Sequence, residues 1–289
     1  MSLRILADEN MPGLETFAGH GDLITAPGRE MTRERVMDAD VLLVRSVTRV
    51  DRALLEGTRV GFVGSATIGT DHVDRDWLAR AEVTFAHAPG CNAMAVAEYD
   101  LQAVLDWLEE EGRDPAGTRV AVIGCGNTGR RAATLFQAAG LDVLACDPPL
   151  WRAGGELPGT PVSLDDALEA DVITLHVPLT GSGPDATRHL LGEERLARLQ
   201  GGQLLINTSR GSVIDNRALR ARLGQGGPAA VLDVWEGEPQ IDPGLFRVCR
   251  TGTPHVAGYS LQGKLRGTAM LYDAFRQWQG LEPAPVRVT

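Results

Sequence analysis

Thr118-Arg-Val-Ala-Val-Ile-Gly124-Cys-Gly126-Asn-Thr-Gly129-Arg130 reads as a strand, a G-x-G-x-x-G turn and the start of a helix. Arg119–Ile123 is an apolar run of the kind a strand buried on both faces requires. Gly124 makes the tight turn, Gly126 lets backbone amides approach a diphosphate, and Gly129 permits close helix–strand packing. The helix keeps Ala132, Leu135, Phe136 and Ala139 at helical spacing and stops at Gly140. The next strand, Leu141–Cys146, delivers Asp147 eighteen residues after Gly129, where a carboxylate can accept the hydroxyls of an adenosine ribose. A carboxylate repels a 2′-phosphate, and Pro148, Pro149 and Leu150 follow it in place of a basic residue. NAD is therefore expected over NADP. Cys125, inside the turn, reads as a small packed group.

Around this motif the chain has 289 residues, which predicts two domains. Its 43% hydrophobic and 23% charged residues are ordinary globular values and exclude disorder. A net charge of −10 disfavours nucleic acid and anionic membranes as partners. No apolar run reaches the length of a membrane span, and the N-terminal stretch reads as no signal peptide, so a cytoplasmic location is expected. Cys91, Cys125, Cys146 and Cys249 form no C-x-x-C pair, so neither a metal site nor a disulfide framework is expected.

Short Val-, Ile- and Leu-rich runs alternate with helix-like segments throughout. Arg4–Asp8, Leu23–Pro27, Val41–Ser46, Gly61–Ala66 and Val83–Pro89 read as five strands, with helical Thr32–Ala39 and Asp51–Gly57 among them. A second series follows: Arg119–Gly124, Asp142–Asp147, Asp171–Pro178, Gln203–Asn207, Ala229–Val234 and Thr253–Val256. This alternation predicts an α/β protein of two doubly wound parallel-sheet domains. Helices at Met94–Glu111 and Leu261–Gln279 mark where the chain crosses into the second domain and returns. Residues 1–93 and 258–289 are thus expected to form a discontinuous, flavodoxin-like substrate domain, and 94–257 a Rossmann NAD-binding domain. Met94–Leu108 is apolar nearly all round, which predicts a covering partner and hence a two-fold homodimer through this helix.

Three polar residues sit at strand ends of the second series: Arg210 after Leu204-Leu-Ile-Asn-Thr-Ser209, Glu238 in Asp233-Val-Trp-Glu-Gly-Glu-Pro239, and His255 in Thr253-Pro-His-Val-Ala-Gly258. Hydride transfer to or from a 2-oxo acid needs a cation for the carboxylate and an acid/base for the carbonyl oxygen. It also needs a group that sets the protonation of that acid/base. Arginine, histidine and glutamate suit these roles as a bidentate clamp, an imidazole that titrates near neutrality, and a carboxylate that favours imidazolium. Glu236 competes with Glu238 for the last role. His72, His87 and His176 read as structural, Trp235 as packing, and Arg45 equally as a surface cation or an anion contact.

In this order, the glycine turn, Asn207-Thr-Ser-Arg-Gly211, Asp233-Val-Trp-Glu-Gly-Glu-Pro239 and Thr253-Pro-His-Val-Ala-Gly258 resemble the D-isomer-specific 2-hydroxyacid dehydrogenase family over essentially the whole chain. The resemblance implies Arg210 on the substrate carboxylate, His255 as proton donor/acceptor and Glu238 as its partner. It further implies NAD contacts from Gly124, Gly126, Asn127, Thr128, Gly129, Asp147, Val177, Thr208, Ser209, Arg210, Asp233 and Gly258. Ile5–Pro12, Val44–Thr48, Gly69–Asp74, Pro89–Asn92, Cys146–Pro149 and above all Gly258-Tyr-Ser-Leu-Gln-Gly-Lys-Leu-Arg-Gly-Thr268 are similar to a branch acting on a phosphorylated 2-hydroxy acid, 4-phospho-D-erythronate, in pyridoxine synthesis. That likeness implies substrate contacts from Ser46, Thr67 and Tyr259. Arg45, Lys264 and Arg266 are the nearest cations for its phosphate. An additional C-terminal dimerisation domain carried by that branch is expected to be missing. Phosphoglycerate or hydroxypyruvate/glyoxylate oxidoreduction stands as an alternative within the family, and an NAD-sensing corepressor as one of another class.

Overall fold

The computed structural model describes residues 2–283. Two compact units result, one from the residues up to Asn92 together with those from Tyr259 on, the other from Ala93–Gly258.

In the first unit five parallel strands, β1 (Leu3–Asp8), β2 (Gly21–Ala26), β3 (Val41–Val44), β4 (Phe62–Ser65) and β5 (Thr84–His87), lie in the order β2-β1-β3-β4-β5. Successive strand residues point to opposite faces, so each strand feeds two cores. Leu6, Leu42, Val44 and Val63 pack on one side with Val36, Leu54 and Leu78. Ile5, Val41, Leu43 and Phe62 pack on the other with Phe17 and with Leu271 and Phe275 of the final helix, Leu261–Trp278. Ser260 caps that helix by accepting from the Gly263 amide. Strand order reverses between β1 and β3, so Asp8 and Arg45, at or just past their carboxyl ends, flank the crevice of this sheet.

In the second unit seven parallel strands follow: β6 (Arg119–Ile123), β7 (Asp142–Cys146), β8 (Thr160–Pro161), β9 (Val172–Leu175), β10 (Leu204–Asn207), β11 (Ala229–Leu232) and β12 (Thr251–Gly252). Their order is β12-β11-β10-β9-β6-β7-β8. One face is covered by the helices Ala93–Glu111 and Asn127–Ala138, which share Ala97, Val104, Trp107, Phe136 and Ala133 in a single core. The other face buries Ile173, Leu175, Leu205 and Leu232 against Leu196 and Leu219. Here the order reverses between β6 and β9, which brings the Gly124 turn beside His176.

One expected strand needs correction and one short strand was not foreseen. Thr253–Val256 is not a strand: β12 ends at Gly252. Pro254 has no amide to donate, and His255 takes a left-handed φ of 58°, which no extended ladder accommodates. The two-residue edge strand β8 had no sequence signal, because its Pro161 argues against a strand and is tolerated only at an edge. Among the described residues no helix is long and apolar enough to cross a membrane.

Candidate active site

The glycine turn is dictated by contacts. Gly124 has φ +91°, and a Cβ there would stand 2.7 Å from the carbonyl carbon of His176. At Gly129 a Cβ would come within 1.9 Å of the Gly124 carbonyl oxygen, so only hydrogen lets the helix start this close to β6. Gly126 is different: no heavy atom lies within 4 Å of its notional Cβ, and the residue is exposed. It caps the helix Asn127–Ala138 with no side chain of its own, leaving the N-terminal amides and dipole open to an anion. Asn127 is exposed and Thr128 half-buried beside it.

Asp147 closes β7 and accepts from two backbone amides, Cys125 at 2.8 Å and Leu150 at 3.0 Å. One carboxylate thereby ties the glycine turn to the helix Pro148–Arg152, and its remaining lone pairs stay available to ribose hydroxyls. Burial raises the Cys125 thiol to about 12, with the Asp147 charge adding to it, so Cys125 is inert.

Past β10, Asn207 is fully buried and organises the following loop. Its Oδ1 accepts from the Ser209 amide at 3.1 Å and hydroxyl at 2.8 Å, while its Nδ2 donates to the Arg210 carbonyl at 3.0 Å. Arg210 Nη1 donates to the Ser209 carbonyl at 2.7 Å. Past β11, Asp233 is 1% exposed and organises a second loop. Its carboxylate accepts from the Thr253 hydroxyl at 2.6 Å and from the amides of Val256 and Ala257 at 2.7 and 2.9 Å. Its carbonyl accepts from the His255 amide at 2.8 Å. These bonds hold His255 in a left-handed conformation that costs an ordinary residue about 1–2 kcal/mol. Strain kept in this way marks a side chain whose direction matters.

That side chain meets Glu238. His255 Nδ1 lies 2.8 Å from Glu238 Oε1, which leaves Nε2 to titrate toward a ligand. The Glu238 hydrogen bond raises the pKa of His255; burial opposes it, the charges of Glu238 and Asp233 add to it, and Arg210 pulls it down. Arg210, Glu238 and His255 are therefore one electrostatic group. Glu236 is engaged elsewhere, accepting from His189 Nε2 at 2.8 Å, so geometry separates the two glutamates. Trp235 is buried and donates to the Thr253 carbonyl. Val177 and Gly258 are half-buried, at the ends of β9 and of the His255 loop.

The remaining expected residues lie in the first unit. Arg45 Nε pairs with the fully buried Asp8 at 3.1 Å, so Arg45 is a braced side chain at the crevice of its sheet. Ser46 is exposed; Thr67 bonds Ser65 Oγ and the Gly69 carbonyl, both at 2.8 Å. Tyr259 is exposed with Lys264 Nζ 3.4 Å from its ring centre, and the ammonium beside it lowers its pKa.

Sequence reasoning missed Asp100. It is fully buried in the helix Ala93–Glu111, with Thr174, His176 and Thr208 around it. The signal was there: Val96, Asp100 and Val104 share a stripe at i, i+4, i+8, and a carboxylate on an apolar stripe is a buried charge in need of partners. Among the described residues no group of three or more His, Cys, Asp or Glu side chains could hold a metal ion.

Residues 93–257 match the family model for the D-isomer specific 2-hydroxyacid dehydrogenase, NAD binding domain. The whole chain is similar to an erythronate-4-phosphate dehydrogenase of Azotobacter vinelandii, 51% identical over 97% of this chain and 74% of that one. A protein of the same name from Marinobacter nauticus is 50% identical over 98% and 74%. Among solved structures, the TT0316 protein of Thermus thermophilus superposes with a TM-score of 0.82 at 25% identity, covering 97% of this chain and 98% of that one.

Proposed function

Because the chain belongs to the D-isomer specific 2-hydroxyacid dehydrogenases, we propose that it oxidises 4-phospho-D-erythronate at C2 to the 2-oxo acid with NAD, a step of pyridoxine synthesis. The substrate is argued from the curated relatives of that name, and the chemistry from one observation: the His255–Glu238 contact on a strained loop at a strand end. The glycine turn, the open helix N-terminus and Asp147 suit a dinucleotide, which when bound supplies the hydride acceptor. In the direction of oxidation, neutral His255 takes the C2 hydroxyl proton at Nε2 while the C2 hydrogen leaves with its electron pair. Glu238 holds the ring through Nδ1 and stabilises the imidazolium that forms. Arg210 clamps the substrate carboxylate, and its planar fork fixes the face presented. Ser46, Thr67 and Tyr259 are assigned to the substrate, and Arg45, Lys264 and Arg266 are the candidate cations for its phosphate.

Two further parts belong to this reading. A homodimer through the helix Ala93–Glu111 is supported by Met94, Leu101 and Leu105, which share a stripe (i, i+7, i+11) and are only partly covered within one chain. A cytoplasmic location is supported by four cysteines that are all free thiols, three of them buried. Formation of reduced nicotinamide, followed by absorbance with a panel of 2-hydroxy acids, tests the activity. 4-Phospho-D-erythronate should be turned over best. Equal turnover of unphosphorylated erythronate, or a preference for three-carbon acids, would overturn the substrate assignment. Light scattering behind size exclusion tests the dimer, and a 30.9 kDa particle with and without NAD would refute it.

A further inference from the structure

Asp100 lies at the ends of β9 and β10, against Thr174, His176 and Thr208, and it takes no part in the mechanism above. Its Oδ2 has three neighbours within hydrogen-bond distance: Thr174 Oγ1 at 3.0 Å, Thr208 Oγ1 at 3.2 Å and His176 Nε2 at 3.2 Å. Thr174 Oγ1 is also 3.1 Å from His176 Nε2. Both ionisable side chains are enclosed, Asp100 at 0% and His176 at 1% exposure. Each keeps one buried atom without a partner: Asp100 Oδ1 and His176 Nδ1. A carboxylate served on one oxygen only, with no cation on the other, is a poor home for a full charge. A proton on Oδ2, donated to His176 Nε2, removes the charge and still lets Oδ2 accept from the two threonine hydroxyls.

What this group touches gives it a role. Thr208 opens the loop that carries Ser209 and Arg210. The His176 backbone lies against Gly124, and its amide donates to the Ile123 carbonyl at 2.7 Å. One side chain thus grips the Arg210 loop directly and the glycine turn through His176.

We propose that Asp100 is a positioning residue that works as a neutral acid, bonding His176 and Thr208 so that the glycine turn and the Arg210 loop stay in register for NAD, and that loss of its proton weakens NAD binding. The proposal rests on the dinucleotide-binding reading of this unit. Burial pushes the Asp100 carboxyl up to about 8, with Asp233 adding to the effect and the two threonine bonds opposing it. Burial alone lowers His176 to about 4, so its ring is neutral throughout. The other titratable group facing Asp100 is Tyr99, whose hydroxyl is raised by burial and by the charges of Asp233 and Asp100. No cation faces the carboxylate among these partners. Deprotonation therefore puts a second buried negative charge beside Asp233, under loops that receive an anionic diphosphate.

The test is calorimetric titration of NAD from pH 6 to 9.5 into the whole chain and into the Asp100→Asn variant, whose amide keeps the shape and cannot ionise. In the unaltered chain affinity should fall about tenfold or more over this range, since one unit of pKa difference between free and bound states is a tenfold change. Asp100→Asn should lose that fall, whatever its affinity at pH 7. Nitrogen-15 imidazole spectra of the apo chain supply a reading that needs neither the variant nor turnover: His176 should stay neutral above pH 6. A fall of the same size in Asp100→Asn, or an imidazolium signal from His176 near pH 7, overturns the proposal. NAD binding that does not vary with pH overturns this inference alone. Absence of NAD binding at every pH overturns the oxidoreductase reading and this role with it.

Discussion

Substituting alanine at Gly126 and at Gly129 separates the two things a glycine turn does. At Gly129 the added methyl would lie 1.9 Å from the Gly124 carbonyl oxygen and 3.2 Å from Val122 Cγ1, both behind the turn. The helix start must retreat by roughly 1 Å from a close-packed strand. Overpacking of this kind costs about 1–3 kcal/mol. At about 2–4 °C per kcal/mol for a unit of this size, the melting temperature should drop by roughly 2–12 °C, and NAD affinity should fall with it. At Gly126 the φ of −75° suits alanine and no heavy atom lies within 4 Å, so the melt should be unchanged. The methyl would nevertheless stand where a diphosphate approaches the amides. A contact penalty of about 1–3 kcal/mol there is a loss of roughly 5–150-fold in Kd. Scanning calorimetry without ligand and titration with NAD read the two effects independently. Gly126→Ala binding NAD within about twofold of the parent, or Gly129→Ala melting with it, would refute this reading of the turn.

His255→Ala should lower turnover by about 10²–10⁴ while leaving NAD titration intact, and near-parental turnover at every pH would remove His255 from the mechanism. Glu238→Gln should move the acid limb of the oxidation rate to lower pH, because the hydrogen bond and charge of Glu238 are what raise the imidazole. The sign is the same for stability: the pair stabilises fully below the unfolded histidine pKa and loses its effect as pH rises through the folded one, so the variant should lose melting temperature on the acid side only. An unmoved rate limb would mean that Glu238 acts by shape alone. Asp147→Ala should narrow the preference for NAD over NADP in paired titrations and lower stability by about 1 kcal/mol through the lost cap at Leu150. An unchanged preference would mean that Asp147 serves only the backbone.

Strand centres, the glycine turn and the placement of Arg210, Glu238 and His255 after buried strands were legible because each has a local cause: an apolar run, a forbidden Cβ, a polar residue after a strand end. Ends were less so. Val41–Ser46 shortens to Val41–Val44 because Arg45 turns to meet Asp8, a partner 37 residues away that no local pattern encodes. Thr253–Val256 carried β-branched residues at both ends and read as a strand, yet Asp233 claims its amides for a loop. Glu236 and Glu238 lie two residues apart in sequence, and distant partners tell them apart: His189 takes Glu236 and His255 takes Glu238. Asp100 was overlooked for the opposite reason. Apolar neighbours made its helix look like simple core, although a lone acid there was the informative residue.

The discontinuity of the first unit sets an order of events during synthesis. Its five strands are complete by His87, but one face of that sheet, with Ile5, Leu43 and Phe62 on it and Phe17 covering only part, is completed by Leu271 and Phe275. The ribosome makes the whole of Ala93–Gly258 in between, a segment whose two cores draw on residues within that span. Domains fold as units while the chain emerges. The half made first is therefore the half finished last, and it waits with an apolar sheet face in water. Until residue 275 emerges, that face is what a chaperone would hold and what a neighbouring nascent chain would stick to.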